Sequence, residues 1–186
     1  TKGVYFLDTE FEEVIDGGRL VTEFISIGLT SLDTDDKGVP LTRFYGVSNE
    51  FNEAGMEREW IKHNVLAKLP PMEERQSLMQ IREALLEQLP PMDELEIWAD
   101  HPYDFIMLRL LFGGHMKMFE ALAYEGIGYT SMRDMSELSR LENVDFPRHK
   151  PAPDLHHIAI HDSEAARLTY LEARRAMPTH LKAVLL

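Results

Sequence analysis

Asp8 and Glu10 follow four apolar residues in the run VYFLDTEFEE, residues 4 to 13. In a strand, positions i and i+2 face the same way, so these two carboxylates project side by side from its end. Carboxylates so placed repel, and one takes up a proton unless a cation lies between them. A strand that merely emerges into solvent has the same sequence, so the deciding question is whether other acids converge there. Asp104 is the second candidate, in the first turn of a helix that follows the apolar stretch LEIWA, residues 95 to 99. Sites in α/β proteins gather at such strand ends. An acid there also complements the helix dipole or caps its amides, and Asp100 could be that cap. The third candidate is HIAIHD, from His157 to Asp162. Five residues span about 500° of helical rotation, so His157 meets Asp162 only from a loop ahead of the first turn. His156 and His161 lie alongside, and spacing alone does not choose among the three histidines. Hard oxygen ligands suit Mg²⁺ or Mn²⁺ rather than zinc or copper, and Mg²⁺ is commonly held by a few carboxylates together with substrate phosphates.

Composition narrows the chemistry further. The chain has 186 residues, 44% hydrophobic and 27% charged, with a formal net charge of −13. That charge argues against a partner gripped by a broad basic surface. A phosphodiester enzyme this acidic must work through bound cations. The absence of cysteine excludes disulfides and thiolate chemistry and favours an intracellular, cytoplasmic setting. No apolar run approaches the ~20 residues of a membrane span, and the N-terminus lacks the pattern of a signal peptide.

The elements that must position these residues follow from periodicity. Residues 3 to 9 read as a central strand apolar on both faces. DGG (16 to 18) is a turn, 20 to 31 a second strand rich in β-branched and aromatic types, and 41 to 48 a third. DTDDKG (33 to 38) begins like a calcium loop, but Lys37 and Phe44 stand where oxygen ligands are required, so it reads as a hairpin turn. Residues 53 to 66 place Met56, Trp60 and His63 at helical spacing, and 73 to 89 put Leu78, Ile81, Leu85 and Leu86 on one stripe before Pro90. A strand over 95 to 99 and a helix over 102 to 112 follow. Residues 113 to 150 carry little signal apart from a helical reading of SMRDMSELSRL, and a long helix covers about 158 to 177. The order predicts an α/β protein, a mixed sheet flanked by helices. The boundaries predict one domain over 1–177 and a tail over 178–186.

With these residues in view, FLDTEF resembles the first motif of the DEDDh exonucleases, the superfamily of proofreading exonucleases, oligoribonuclease and RNase T. DHPYD (100 to 104) is similar to the second motif, and HIAIHD to the third, H-x4-D, with the small residue Ala159 two places after the histidine. WIKHNVLAKLPP (60 to 71) and IWA resemble a narrower group, the bacterial polyadenylate-specific exoribonuclease AS. One departure is Asp100, where many relatives have Asn. The resemblance implies an RNase H-like fold, with an antiparallel meander plus parallel strands, and a homodimer. It implies two Mg²⁺ or Mn²⁺ ions, with Asp8 bridging both, Glu10 and Asp162 completing one site and Asp104 holding the other. His157 is then the general base, and nucleoside 5′-monophosphates leave from the 3′ end of single-stranded RNA.

Thr9, Phe11, Tyr103 and Trp60 are expected at the substrate, the three aromatics as stacking surfaces for bases. Trp60 shares a stripe with Met56, which also suits the core. The apolar tail HLKAVLL (180 to 186) suits packing on a partner subunit. Two other readings stay open. One is a 3′-to-5′ exonuclease acting on DNA, since sugar choice rests on contacts to the 2′-OH. The other is a nucleic-acid-binding or scaffolding module without turnover.

Overall fold

Residues 2 to 16 form one continuous strand, well past the point where the sequence turns acidic. A computed structural model describes residues 1–140 and 146–178; the tail expected to pack on a partner lies outside them. Strand β1 (Lys2–Asp16) pairs antiparallel with β2 (Arg19–Ser31) through the Gly17–Gly18 turn, and β2 pairs antiparallel with β3 (Arg43–Val47). On its other side β1 pairs parallel with β4 (Met92–Ala99), which pairs parallel with β5 (Ile127–Asp134). The sheet order is β3-β2-β1-β4-β5, a mixed five-stranded sheet. This is the α/β architecture expected, and it is consistent with an RNase H-like fold.

The helices cover both faces. On one face α2 (Leu78–Glu87), α3 (Pro102–Leu111) and α4 (His115–Tyr124) bury Ile81, Leu108 and Leu122 against Tyr5, Leu7, Leu29 and Ile97. On the other, α6 (Ala159–Ala176) buries Ala166, Tyr170 and Ala173 against Phe6 and Trp98. Ser77 starts α2 with a capping box, its hydroxyl accepting from the Gln80 amide while the Gln80 side chain accepts from the Ser77 amide. Between β3 and α2, Met56, Ile61 and Val65 pack on Ile25 and Phe51. Among the described residues no helix is long and apolar enough to cross a membrane.

Two elements differ from the sequence reading, and the turn at 33 to 38 agrees with it. Residues 131 to 134, read as helix, are the end of β5, and only α5 (Ser136–Arg140) is helical there. The Asp134 carboxylate accepts the Ser136 amide at 2.7 Å and so marks that boundary. Met56 and Trp60 do not share a helix: Met56 precedes the short α1 (Glu59–Asn64) and is buried, whereas Trp60 is 49% exposed. The turn at 33 to 38 is a hairpin connection in which Asp35 accepts the amides of Lys37 and Val39.

Candidate metal centre and the histidine beside it

β4 ends at Ala99, paired with Leu7, and turns away into α3. From Asp8 onward β1 therefore continues with β2 alone, and the space β4 vacates is where the acids meet. Asp8, Glu10 and Asp162 each offer a carboxylate oxygen, and these atoms lie within 4.8 Å of one another. Asp8 and Glu10 share the face of β1 that α6 covers, as their i, i+2 spacing requires. Asp162 reaches them because α6 comes unusually close to β2 at Gly28, the residue opposite Asp8 in the ladder. A Cβ on Gly28 would sit 2.2 Å from the Ala159 carbonyl oxygen, so only glycine permits this approach. Ala159, noted in the motif as small, is fully buried at that contact.

Asp104 arrives from the other side. It is 4% exposed, and its Oδ1 accepts the Thr9 amide at 3.0 Å and the Thr9 hydroxyl at 2.6 Å. Thr9, expected at the substrate, is itself buried and uses its hydroxyl to hold Asp104. The cap of α3 is His101, whose Nδ1 accepts the Tyr103 amide at 3.3 Å, not Asp100. Asp100 adds instead to the negative charge acting on Asp8.

These carboxyls resist ionisation. Burial raises Asp8 well above the usual carboxylate range, and Asp104, Glu10, Asp162 and Asp100 push it further. Burial pushes Asp104 up to about 7 in spite of the Thr9 hydrogen bonds, and burial with Glu10 pushes Asp162 up to about 6. Oδ2 of Asp8 and Oδ2 of Asp162 are buried without a hydrogen-bond partner among the described residues. Orphaned, converging, hard oxygen donors of this kind fit a divalent cation, which would supply the missing partner and offset the charge.

His157 stands at the cluster's edge, with Nδ1 3.7 Å from Glu10 Oε1. The Glu10 carboxylate beside it raises its pKa, against the effect of burial. His157 is outside α6, whose cap is Ile158, and it has φ 63°, the one non-glycine residue in the left-handed region among those described. This reversal solves the rotation problem that an unbroken helix would pose. A left-handed non-glycine residue costs about 1–3 kcal/mol. We therefore expect His157→Gly to be more stable than His157→Ala by about 1 kcal/mol in urea unfolding, since both lose the ring and only alanine keeps the strain.

Of the other histidines, His161 faces Glu164 at 3.3 Å, away from the cluster. His156, which spacing did not single out, lies 3.5 Å from Asp162 and stacks on His157 with ring centroids 3.8 Å apart. The Trp60 ring meets His157 edge-on at 4.9 Å. Phe11 approaches Tyr103 at 5.9 Å, and Tyr103 stacks on His101 at 5.1 Å. Trp60 and Tyr103 are about half exposed, so aromatic surface adjoins both His157 and Asp104.

A bulge completes the site. The β1–β2 register slips between Glu10 and Phe11, leaving Ile25 as the extra residue, fully buried beneath α1. Bulges commonly re-aim side chains beside active sites. Here the bulge follows directly on Glu10 and turns Ile25 toward the segment that carries Trp60. No protein-family model matches the chain, and no curated protein matches it.

Proposed function

We propose that this chain is a divalent-metal-dependent exonuclease that removes nucleoside 5′-monophosphates from the 3′ end of single-stranded RNA. The observation that carries the reading is the meeting of three carboxylates from residues 8, 10 and 162 within 4.8 Å, with two buried oxygens left unpartnered among the described residues. The polarity and the choice of RNA rest on the motif resemblance, as does the expectation of a homodimer.

In this reading Asp8, Glu10 and Asp162 hold one Mg²⁺ or Mn²⁺, with Asp8 and Asp104 serving a second. Such ions, when bound, activate a water and offset charge on attacking and leaving oxygens. Thr9 keeps the Asp104 carboxylate aimed by two hydrogen bonds. His157 presents Nδ1 to Glu10, so Nε2 is the atom left to take a proton from water. Phe11, Tyr103 and Trp60 would stack on bases at the cleaved end.

The test pairs calorimetric titration of Mn²⁺ with digestion of matched, 5′-labelled RNA and DNA oligomers. A tight divalent site and stepwise shortening of the RNA support the proposal. Faster shortening of DNA would make the enzyme an exodeoxyribonuclease. Metal binding without hydrolysis of either would leave a binding module.

A further inference from the structure

The structure assigns Lys68 as the positioning residue for His157, an inference that rests on the nuclease reading for its kinetic consequence alone. Lys68 closes the short 3₁₀ turn Leu66–Lys68 that follows α1. Its ammonium donates to the carbonyls of Pro153, at 3.3 Å, and His156. The His156 carbonyl belongs to the peptide unit whose orientation is set by the φ of His157. Holding that oxygen therefore fixes the peptide plane beside the left-handed residue, where the backbone would otherwise relax.

The base of this clamp is rigid. Ile61 and Val65 are buried against Ile25 and Phe51. Arg58, which leads into α1, is ion-paired with the buried Glu12 of β1 at 2.9 Å. The clamped loop has internal bonds of its own: the amides of Leu155 and His156 donate to the Ala152 carbonyl at 2.8 and 2.9 Å, and that of Ile158 to Leu155 at 3.2 Å. The same α1 segment brings Trp60 against the His157 ring. One rigid segment thus holds the histidine twice, by its side chain through Trp60 and by its backbone through Lys68. Charge-assisted bonds to carbonyls are the strong kind, and ammonium has the donors to serve two at once.

The experiment compares Lys68→Met and Lys68→Arg with the wild type by hydrogen exchange, Mn²⁺ calorimetry and RNA hydrolysis. In Lys68→Met, exchange at the amides of 155, 156 and 158 is expected to speed roughly tenfold, while the β1 core is unchanged. Turnover is expected to fall about 10- to 100-fold with KM within about twofold. Mn²⁺ affinity should not change, and Lys68→Arg should recover much of the turnover. Unchanged exchange in the loop would overturn the clamp. A rise in KM with turnover intact would make Lys68 a substrate contact instead. Exchange decides the clamp even if the wild type hydrolyses neither RNA nor DNA, an outcome that would count against the nuclease reading alone.

Discussion

Asp8→Asn is expected to abolish hydrolysis and, at the same time, to stabilise the metal-free protein. Ionisation of Asp8 is resisted by burial and then by Asp104, Glu10, Asp162 and Asp100. An asparagine of the same shape is neutral at every pH, so folding no longer has to protonate this side chain, and its amide is a donor for the orphaned oxygens nearby. The metal-free variant is therefore expected to unfold at a higher urea concentration than the wild type. The expected loss in turnover is at least about a thousandfold, because on the proposed reading Asp8 would serve both ions. Mn²⁺ binding should weaken in the same variant. Wild-type turnover in Asp8→Asn would refute the assignment of the centre.

The pH dependence has a definite sign. Asp104 titrates at about 7 and Asp162 at about 6 in the folded protein, against about 3.9 for an aspartate in an unfolded chain. Between those limits the native state holds more protons than the unfolded state, so stability without metal falls as pH rises from about 4 to about 7. His157, raised by Glu10, adds to the fall, while His156, lowered by burial and by His157, opposes it. Saturating Mn²⁺ should flatten the slope, since the ion replaces the protons. Thermal unfolding at pH 5 and pH 8, with and without Mn²⁺, measures this. Equal Mn²⁺ stabilisation at both values would argue against a cation at the cluster.

Gly28→Ala should be severely damaging for the addition of a single methyl. The new Cβ would meet the Ala159 carbonyl oxygen at 2.2 Å, its carbon at 2.3 Å and the Ile160 nitrogen at 2.5 Å. All are backbone atoms, which cannot swing aside. The start of α6 must retreat by about 1 Å to restore ordinary contact distance, and Asp162 retreats with it. Overpacking of this kind costs about 3 kcal/mol, a fall of roughly 6–12 °C in Tm for a chain of this size. Gly46→Ala is the control. Its Cβ meets the Ile81 side chain at 2.8 Å, a contact that a rotamer change can ease. That variant should lose some stability and keep its Mn²⁺ affinity, whereas Gly28→Ala should lose both. Full Mn²⁺ affinity in Gly28→Ala would mean the close approach does not set the centre.

The strands and helices that carry the acids were legible because each has a strong local pattern. β1 and β2 are apolar runs bounded by a turn, α3 has proline in its first turn, and α6 was placed within a residue of its observed ends. β5 was not legible because it is an edge strand whose residues are mostly half-buried or exposed, so Ser131–Asp134 reads equally well as helix. The core reading of Trp60 failed because its spacing from Met56 matters only if one helix spans both. The candidate acids could be named from sequence since Asp8 and Glu10 follow an apolar run, although their strand continues past them, and Asp104 and Asp162 lie in first helical turns. The roles of Thr9, His156 and Gly28 could not. Each depends on what stands opposite in space: Asp104 for the threonine, Asp162 for the histidine, Ala159 for the glycine.

The centre draws on residues 8 and 10, then 104, then 162, so its members span most of the chain. A polypeptide emerging from the ribosome has its first two acids early but lacks Asp162 and both neighbouring histidines until α6 begins to appear. On the proposed chemistry, a half-made copy cannot assemble the cutting centre beside the messenger that encodes it, and competence arrives only when the first strand and the last described helix have met.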